Sequence, residues 1–355
     1  MHIGLVIYGS LETISGGYLY DCKLVDYLRR QGDRVDIISL PWRSYPRHLG
    51  DNLSSTLFRQ LADLPVDILL QDELNHPSFF WLNRRLRPRV SYRTMAVIHH
   101  LRSVEARPSW QNFLYRQVEH RYITSLDGFI CNSQTTRRSV ESMVGRGLPG
   151  IVALPGKDAS QPTLSEAVII RRAKQPGPLR LVFLGNIILR KGLHTLLAAL
   201  SHLPPEAWSL SIIGSPELDR DYARLVHYLA ENARLCDNLE FLGQLDQLTL
   251  FDYLQKSHVL VVPSSYEGFG IAYLEGMGFG LPSIAPLAGG AGELITHGEN
   301  GFLIGPGDTQ ALVDHLAMLI EDRQALLRMS LAALERFRKH PTWEEMGASV
   351  RNFLR

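Results

Sequence analysis

Glu267-Gly-Phe-Gly-Ile-Ala-Tyr-Leu-Glu275 is the stretch of this chain best equipped for chemistry. Just upstream, residues 259–262 form a short apolar run rich in β-branched side chains and ending at Pro263, which reads as a buried parallel strand. Residues 264–268 read as a loop. From Phe269 onward the apolar residues Ile271, Leu274 and Met277 recur at helical spacing. A strand, a glycine-bearing loop and a helix start make an anion-binding turn, because the free N–H groups and the dipole of the first helical turn favour negative charge. A phosphate there needs no carboxylates. Acceptor-only groups on either side suggest a ligand carrying hydroxyls beside its phosphates, such as a ribose or a sugar. The plain alternative, a solvated helix face, is disfavoured. Glu267 falls in the loop, and Glu275 lies in a nearly uncharged segment.

Two further groups could do chemistry. Arg190 and Lys191 stand side by side before an apolar helical segment. Adjacent cations at a helix start oppose the dipole, and an anionic ligand would remove the conflict. His99 and His100 follow an apolar strand over residues 94–98. Ligands of open α/β sheets bind beyond the carboxyl ends of the strands, so one of the two is placed to hydrogen-bond a ligand or to stabilise charge. Asp219-Arg-Asp221 has the look of a metal motif, but it opens a helix and is read as acids complementing the dipole.

The elements that must position these groups follow in order. His2–Tyr8 is an apolar first strand, and no signal peptide is read into the N-terminus. A loop over residues 9–17 leads through Gly16 and Gly17 into a helix, and residues 35–40 form the next strand. The glycines do not fit the nicotinamide fingerprint, and such a pair more often serves close packing. Residues 66–70 are a strand with Asp72-Glu73 at its end. Gly128–Cys131 is another, leading into Asn132-Ser133. Residues 171–180 are polar, with proline and glycine, and read as a linker. The pattern restarts at Leu179–Leu184. This divides the chain into a first domain of residues 1–173 plus 341–355 and a second of residues 174–340.

At 355 residues the chain is long enough for two ordinary cores, and its net charge of +1 argues against bulk nucleic-acid binding. Three scattered cysteines suggest a reducing compartment and no metal site. Residues 79–122 hold nine Arg against Glu105 and Glu119. Arginine stems over aromatic side chains there could face an anionic membrane or a phosphorylated acceptor; an ordinary basic surface is the alternative.

Taken with Pro263-Ser-Ser before it and Gly289-Gly290-Ala-Gly-Glu293 and Asn300-Gly301-Phe-Leu after it, the glutamate-framed stretch resembles the retaining glycosyltransferases of family 4. The resemblance is strong over residues 179–345 and weak over residues 40–125. It implies the GT-B fold: α/β, two Rossmann-like doubly wound domains facing across a cleft. It implies a metal-independent retaining transfer of a sugar from a UDP- or GDP-linked donor to a sugar, glycan or lipid-linked acceptor, with no cofactor.

By the same resemblance His99, Glu267, Arg190 and Lys191 are the catalytic set, with Arg190 and Lys191 gripping the donor diphosphate. Gly16, Gly17, Gly185, Gly214, Gly243, Leu245, Gly268, Phe269, Gly270, Ile271 and Glu275 match the donor site. His100, Asn132 and Ser133 fall on the acceptor side. Gly289 and Gly290 are expected to let backbone approach the donor sugar. The expected location is cytoplasmic, with peripheral contact at the inner face of a membrane. Two readings from other classes stay open: a sugar-nucleotide epimerase of the same fold, and a non-catalytic sugar-nucleotide-binding subunit.

Overall fold

The computed structural model describes residues 1–13, 15–158 and 163–355; Ile14, inside the expected 9–17 loop, lies outside them. The chain divides into two compact units. The first is Met1–Gly156 with Pro341–Arg355, and the second is Lys157–His340. Each is built on one six-stranded parallel sheet flanked by helices.

The first sheet runs β2-β1-β3-β4-β5-β6. Its strands are β1 (His2–Tyr8), β2 (Arg34–Leu40), β3 (Ile68–Asp72), β4 (Arg93–Ile98), β5 (Gly128–Cys131) and β6 (Gly150–Val152). The chain steps from β1 outward to β2, then returns to the other side of β1 for β3. The switch point therefore lies between β1 and β3, where an open α/β sheet offers a crevice at its carboxyl edge. Six of the seven residues of β1 are buried, as both-face coverage demands. The last helix, Trp343–Leu354, opens on a capping box between Thr342 and Glu345 and belongs to this unit. It lies against the helix Gly16–Arg30 through Gly347, where a Cβ would stand 2.3 Å from the Tyr27 ring. Arg351 adds a 2.6 Å ion pair with the buried Asp33.

The second sheet runs β12-β11-β10-β7-β8-β9. Here β7 is Leu179–Leu184, β8 Trp208–Ile213, β9 Leu239–Gly243, β10 Val259–Val261, β11 Ser283–Pro286 and β12 Gly301–Ile304. Its switch point falls between β7 and β10. Arg190 and Lys191 follow β7, and Glu267 follows β10, so the topology alone brings the cations and the carboxylate to one crevice.

The boundary expected at residue 173 moves to residue 156. The Arg-Arg-Ala-Lys segment read as linker is instead the end of a helix, Glu166–Lys174, that packs inside the second unit. Arg172 is buried there and donates to the carbonyls of Gly280 at 2.8 Å and Gln255 at 3.2 Å. Asp219 caps the helix Arg220–Asn232 by accepting from the Tyr222 N–H, in line with its reading as a helix start.

Candidate active site

In the second unit the site is built on the loops after β7 and β10. Leu189–Lys191 is one short 3₁₀ turn, closed by Gly192 at φ 72°. A Cβ on Gly192 would meet the Pro263 carbonyl at 2.1 Å, so only glycine lets the two loops touch. Arg190 and Lys191 therefore precede the helix Leu193–Leu200 without being part of it. Their charge is met by Glu267. Lys191 Nζ lies 2.6 Å from one carboxylate oxygen and Arg190 Nη1 3.8 Å from the other. Arg190 also donates to the Tyr266 carbonyl at 2.7 Å, and the Ser264 hydroxyl donates to Glu267 at 2.6 Å.

Glu267 is 6% exposed. Burial pushes its carboxyl pKa upward, but Lys191 and Arg190 outweigh that and hold it at about 2. The same pair does not lift Lys191, whose pKa is lowered because burial exceeds the pull of Glu267. The result is a fixed carboxylate between two cations, in a dry setting where an added anion would be strongly felt.

The helix expected from Phe269 begins two residues later, at Ile271, because Gly270 sits at φ 100°. No side chain caps this helix and no acid stands in its first turn. Its first turn thus keeps N–H groups that no side chain among the described residues caps. Phe269 is buried and its ring packs on His340 at 5.7 Å. Glu275 lies half-buried on the second turn. Gly289 and Gly290 allow a close contact between two loops of this unit. A Cβ on either would strike the Glu267 or Gly268 carbonyl, at 1.9 and 2.2 Å, so these glycines clamp the 288–290 loop onto the Glu267 backbone. Gly185 and Gly214 end β7 and β8. A Cβ on Gly214 would meet the Gly185 carbonyl at 2.0 Å, and one on Gly185 would stand 3.3 Å from Lys191. Gly243 accepts from the Gly214 N–H at 2.7 Å, and Leu245 is half-buried just beyond.

In the first unit the chemistry gathers at the ends of β3 and β4. His99 is buried, with Nε2 at 3.4 Å from Asp21, 3.7 Å from Asp72 and 4.0 Å from Glu73. Its backbone N–H donates to Glu73 at 3.1 Å. Gly17 lets the helix start approach the ring, since a Cβ there would sit 3.1 Å from His99 Cδ2; Gly16 is the first helical residue, behind the Ser15 cap. Burial pulls the imidazole toward the neutral form, yet Glu73, Asp21 and Asp72 outweigh it and raise its pKa to about 10. Burial pushes Asp72 far up, with Glu73 and Asp21 adding to it. Neither Asp21 oxygen nor His99 Nε2 makes a hydrogen bond among the described residues. One atom each from Asp21, Asp72 and His99 lies within 4.8 Å of the others, a spacing from which a small cation could draw three ligands. A proton on His99 answers the same surplus of negative charge.

His100 faces away into a second network, 3.0 Å from Glu105 and 3.8 Å from Glu73. Asn132 is buried, its side-chain oxygen accepting from the Thr136 hydroxyl at 3.1 Å. Ser133 is fully buried and caps the helix Gln134–Val144, so its hydroxyl is spent on structure. Sequence reasoning missed Asp21. The available signal was an acid three residues before Leu24, on the inner face of an otherwise apolar helix stripe.

Residues 166–336 match the family model described as glycosyl transferases group 1. Glycogen synthase from Mycobacterium tuberculosis is 27% identical over 236 residues, 66% of this chain and 55% of that protein. D-inositol 3-phosphate glycosyltransferase from Xylanimonas cellulosilytica is 26% identical over 242 residues, 65% of this chain and 57% of that protein. The chain thus spans about half the length of the curated relatives it matches. Among solved structures, sucrose-phosphate synthase from Thermosynechococcus elongatus superposes with a TM-score of 0.82 at 21% identity, covering 99% of this chain and 97% of that one. Anabaena HepE in complex with UDP-glucose follows at 0.80 and 19%, covering 100% and 99%. At these identities the likeness establishes the fold, two Rossmann-like domains of the GT-B type.

Proposed function

We propose, from the premise that residues 166–336 belong to the glycosyl transferases group 1, that this chain moves a sugar from a UDP- or GDP-linked donor to an acceptor hydroxyl in glycan or glycolipid synthesis. The observation that carries the reading is the Arg190–Lys191–Glu267 cluster at the switch point of the second sheet, beside the uncapped start of the helix Ile271–Gly278. Two cations and a set of free amides are preorganised around a place for a diphosphate.

In this reading the second unit holds the donor. Arg190, Lys191 and the amides around Gly270 and Ile271 stabilise the departing diphosphate as its charge grows, a gain larger in the transition state than in the ground state. Glu275 takes the ribose hydroxyls. Glu267 fixes Lys191 and orients the donor sugar. The first unit binds the acceptor and carries His99 as its candidate catalytic side chain. Transfer proceeds with retention by front-side attack, the leaving phosphate oxygen taking the acceptor's proton, and without a divalent metal. No specific observation favours the epimerase or the non-catalytic reading.

Peripheral membrane contact belongs to the same proposal. On the helix Ser109–Ile123, Trp110, Phe113 and Leu114 are 65%, 61% and 54% exposed, with Arg116 and Arg121 on the same helix. No helix of the described residues is long and apolar enough to cross a membrane. An exposed apolar cluster beside arginines suits the surface of an anionic bilayer.

The test is turnover. UDP-glucose and GDP-mannose are each incubated with a panel of saccharide acceptors, with and without chelator. The reading expects a new glycosidic bond by mass spectrometry, an anomeric proton coupling matching the donor's configuration, and no effect of chelator. A C2-epimerised donor formed without acceptor would overturn it.

A further inference from the structure

The first unit contains a cavity of about 250 Å³ to which the site described above contributes only Glu73, His100 and Glu105. It lies at the carboxyl edge of the first sheet. Tyr8 ends β1, Trp42 and Arg43 follow β2, Glu73 follows β3, and His100 and Arg102 follow β4. Four adjacent strands thus deliver their ends to one place at the switch point, the position where this class of sheet accepts ligands.

The lining is aromatic and polar together. Tyr8 stacks on His48 at 3.9 Å, and Trp42 stands edge-on to Tyr8 at 5.7 Å while remaining 63% exposed. Such a large exposed indole beside a cavity offers an apolar face to a ligand. The hydrogen-bonding groups are held rigidly. Tyr45 Oη meets His76 Nε2 at 3.1 Å, and His76 Nδ1 meets the Glu73 carbonyl oxygen at 2.8 Å. Burial holds His76 neutral, at a pKa of about 3. The Arg102 guanidinium lies over the rings of Tyr45 at 5.1 Å and Tyr115 at 4.8 Å.

Charge decides the class of ligand. The wall carries two arginines and two glutamates, so it has no net formal charge. Two of the four are matched by near neighbours: Arg43 with Asp51 at 3.0 Å, and Glu105 with His100 at 3.0 Å and Arg107 at 2.7 Å. A phosphate would find Arg102 as the one wall arginine without an ion pair among the described residues, and the Glu73 and Glu105 carboxylates would repel it. A ring of hydroxyls would find acceptors in Glu73 and Glu105, donors in His100 and the planar fork of Arg102, and a face on Trp42.

We propose that this cavity is the acceptor subsite and that it takes an uncharged sugar, stacked on Trp42. The inference rests on the glycosyl-transfer reading and narrows it to a neutral saccharide acceptor.

The full chain is titrated with methyl α-glucoside, methyl α-mannoside, methyl α-galactoside, maltose, glucose and glucose 6-phosphate, up to about 50 mM, by saturation-transfer NMR. Trp42→Ala is run beside the wild type, and each protein's melting temperature is also read with UDP and with GDP. The expected result is saturable binding of at least one uncharged saccharide, weakened about tenfold or more in Trp42→Ala, with glucose 6-phosphate no tighter than glucose. Failure of every uncharged saccharide to saturate, unchanged affinity in Trp42→Ala, or about tenfold tighter binding of glucose 6-phosphate would each overturn the inference. The nucleotide readings separate the two claims. Stabilisation by UDP or GDP without saccharide binding sinks the subsite alone, whereas no stabilisation by either nucleotide removes the donor reading beneath it.

Discussion

Replacing Glu267 with Gln removes the carboxylate that neutralises Lys191 at 2.6 Å and Arg190 at 3.8 Å, and leaves the rest of the loop in place. The folded-state pKa of about 2, against an ordinary 4.5, gives the scale of the loss. That shift corresponds to about 3 kcal/mol of stability at pH 7. The cost of orphaning a buried cation, ~3–5 kcal/mol, is of the same order. Because the pKa is depressed on folding, this stability is fully present above about pH 4.5 and is lost as pH falls through about 2. At pH 3 less than half of it should remain.

Calorimetry of wild type and Glu267→Gln at pH 7 and pH 3 reads this directly. At ~2–4 °C per kcal/mol for a unit of this size, the second unit of the variant should melt roughly 6–12 °C lower at pH 7, with the gap more than halved at pH 3. A gap equal at the two pH values, or under about 1 kcal/mol at pH 7, would refute the reasoning that this ion cluster carries such stability.

Two more outcomes follow from the first unit. With its pKa raised to about 10, His99 should remain an imidazolium at pH 8 by ring NMR. Its share of stability is full below about 6.5 and disappears as pH rises through about 10, and Asp21→Asn should move the titration to lower pH. A wild-type ring titrating near its ordinary pKa would contradict the carboxylate cage. The full chain should bind anionic vesicles at low salt and lose most of that binding in Trp110→Ser/Phe113→Ser. Equal binding of wild type and variant would remove this helix from the membrane proposal.

The strands were legible because parallel strands covered on both faces leave uninterrupted apolar runs. His2–Tyr8, Gly128–Cys131 and Leu179–Leu184 have the bounds read from sequence. The start of the site helix was not, because the left-handed Gly270 delays it in a way that apolar spacing cannot register. The domain boundary was displaced because Arg172 looks like linker charge; its burial depends on carbonyls of Gln255 and Gly280, far along the chain. The cations and Glu267 were each visible as residues, but the ion pair joining them across 76 positions needs the strand order, with β7 beside β10. Tyr8, Trp42, Glu73 and His100 converge only because four strand ends share one edge, so no local motif announces the cavity.

The central claim is that the second unit holds a nucleoside diphosphate between Arg190, Lys191 and the helix Ile271–Gly278, with Glu275 on the ribose. A thermal-shift panel of UDP, GDP, ADP and CMP on wild type and Glu275→Gln tests it most directly. A ligand present at about 100 times its dissociation constant adds about 2.7 kcal/mol to the native state. The account predicts that a diphosphate, UDP or GDP, raises the melting temperature of the wild type and that Glu275→Gln loses most of the gain. No shift with any of the four, or an equal shift in the variant, would contradict it.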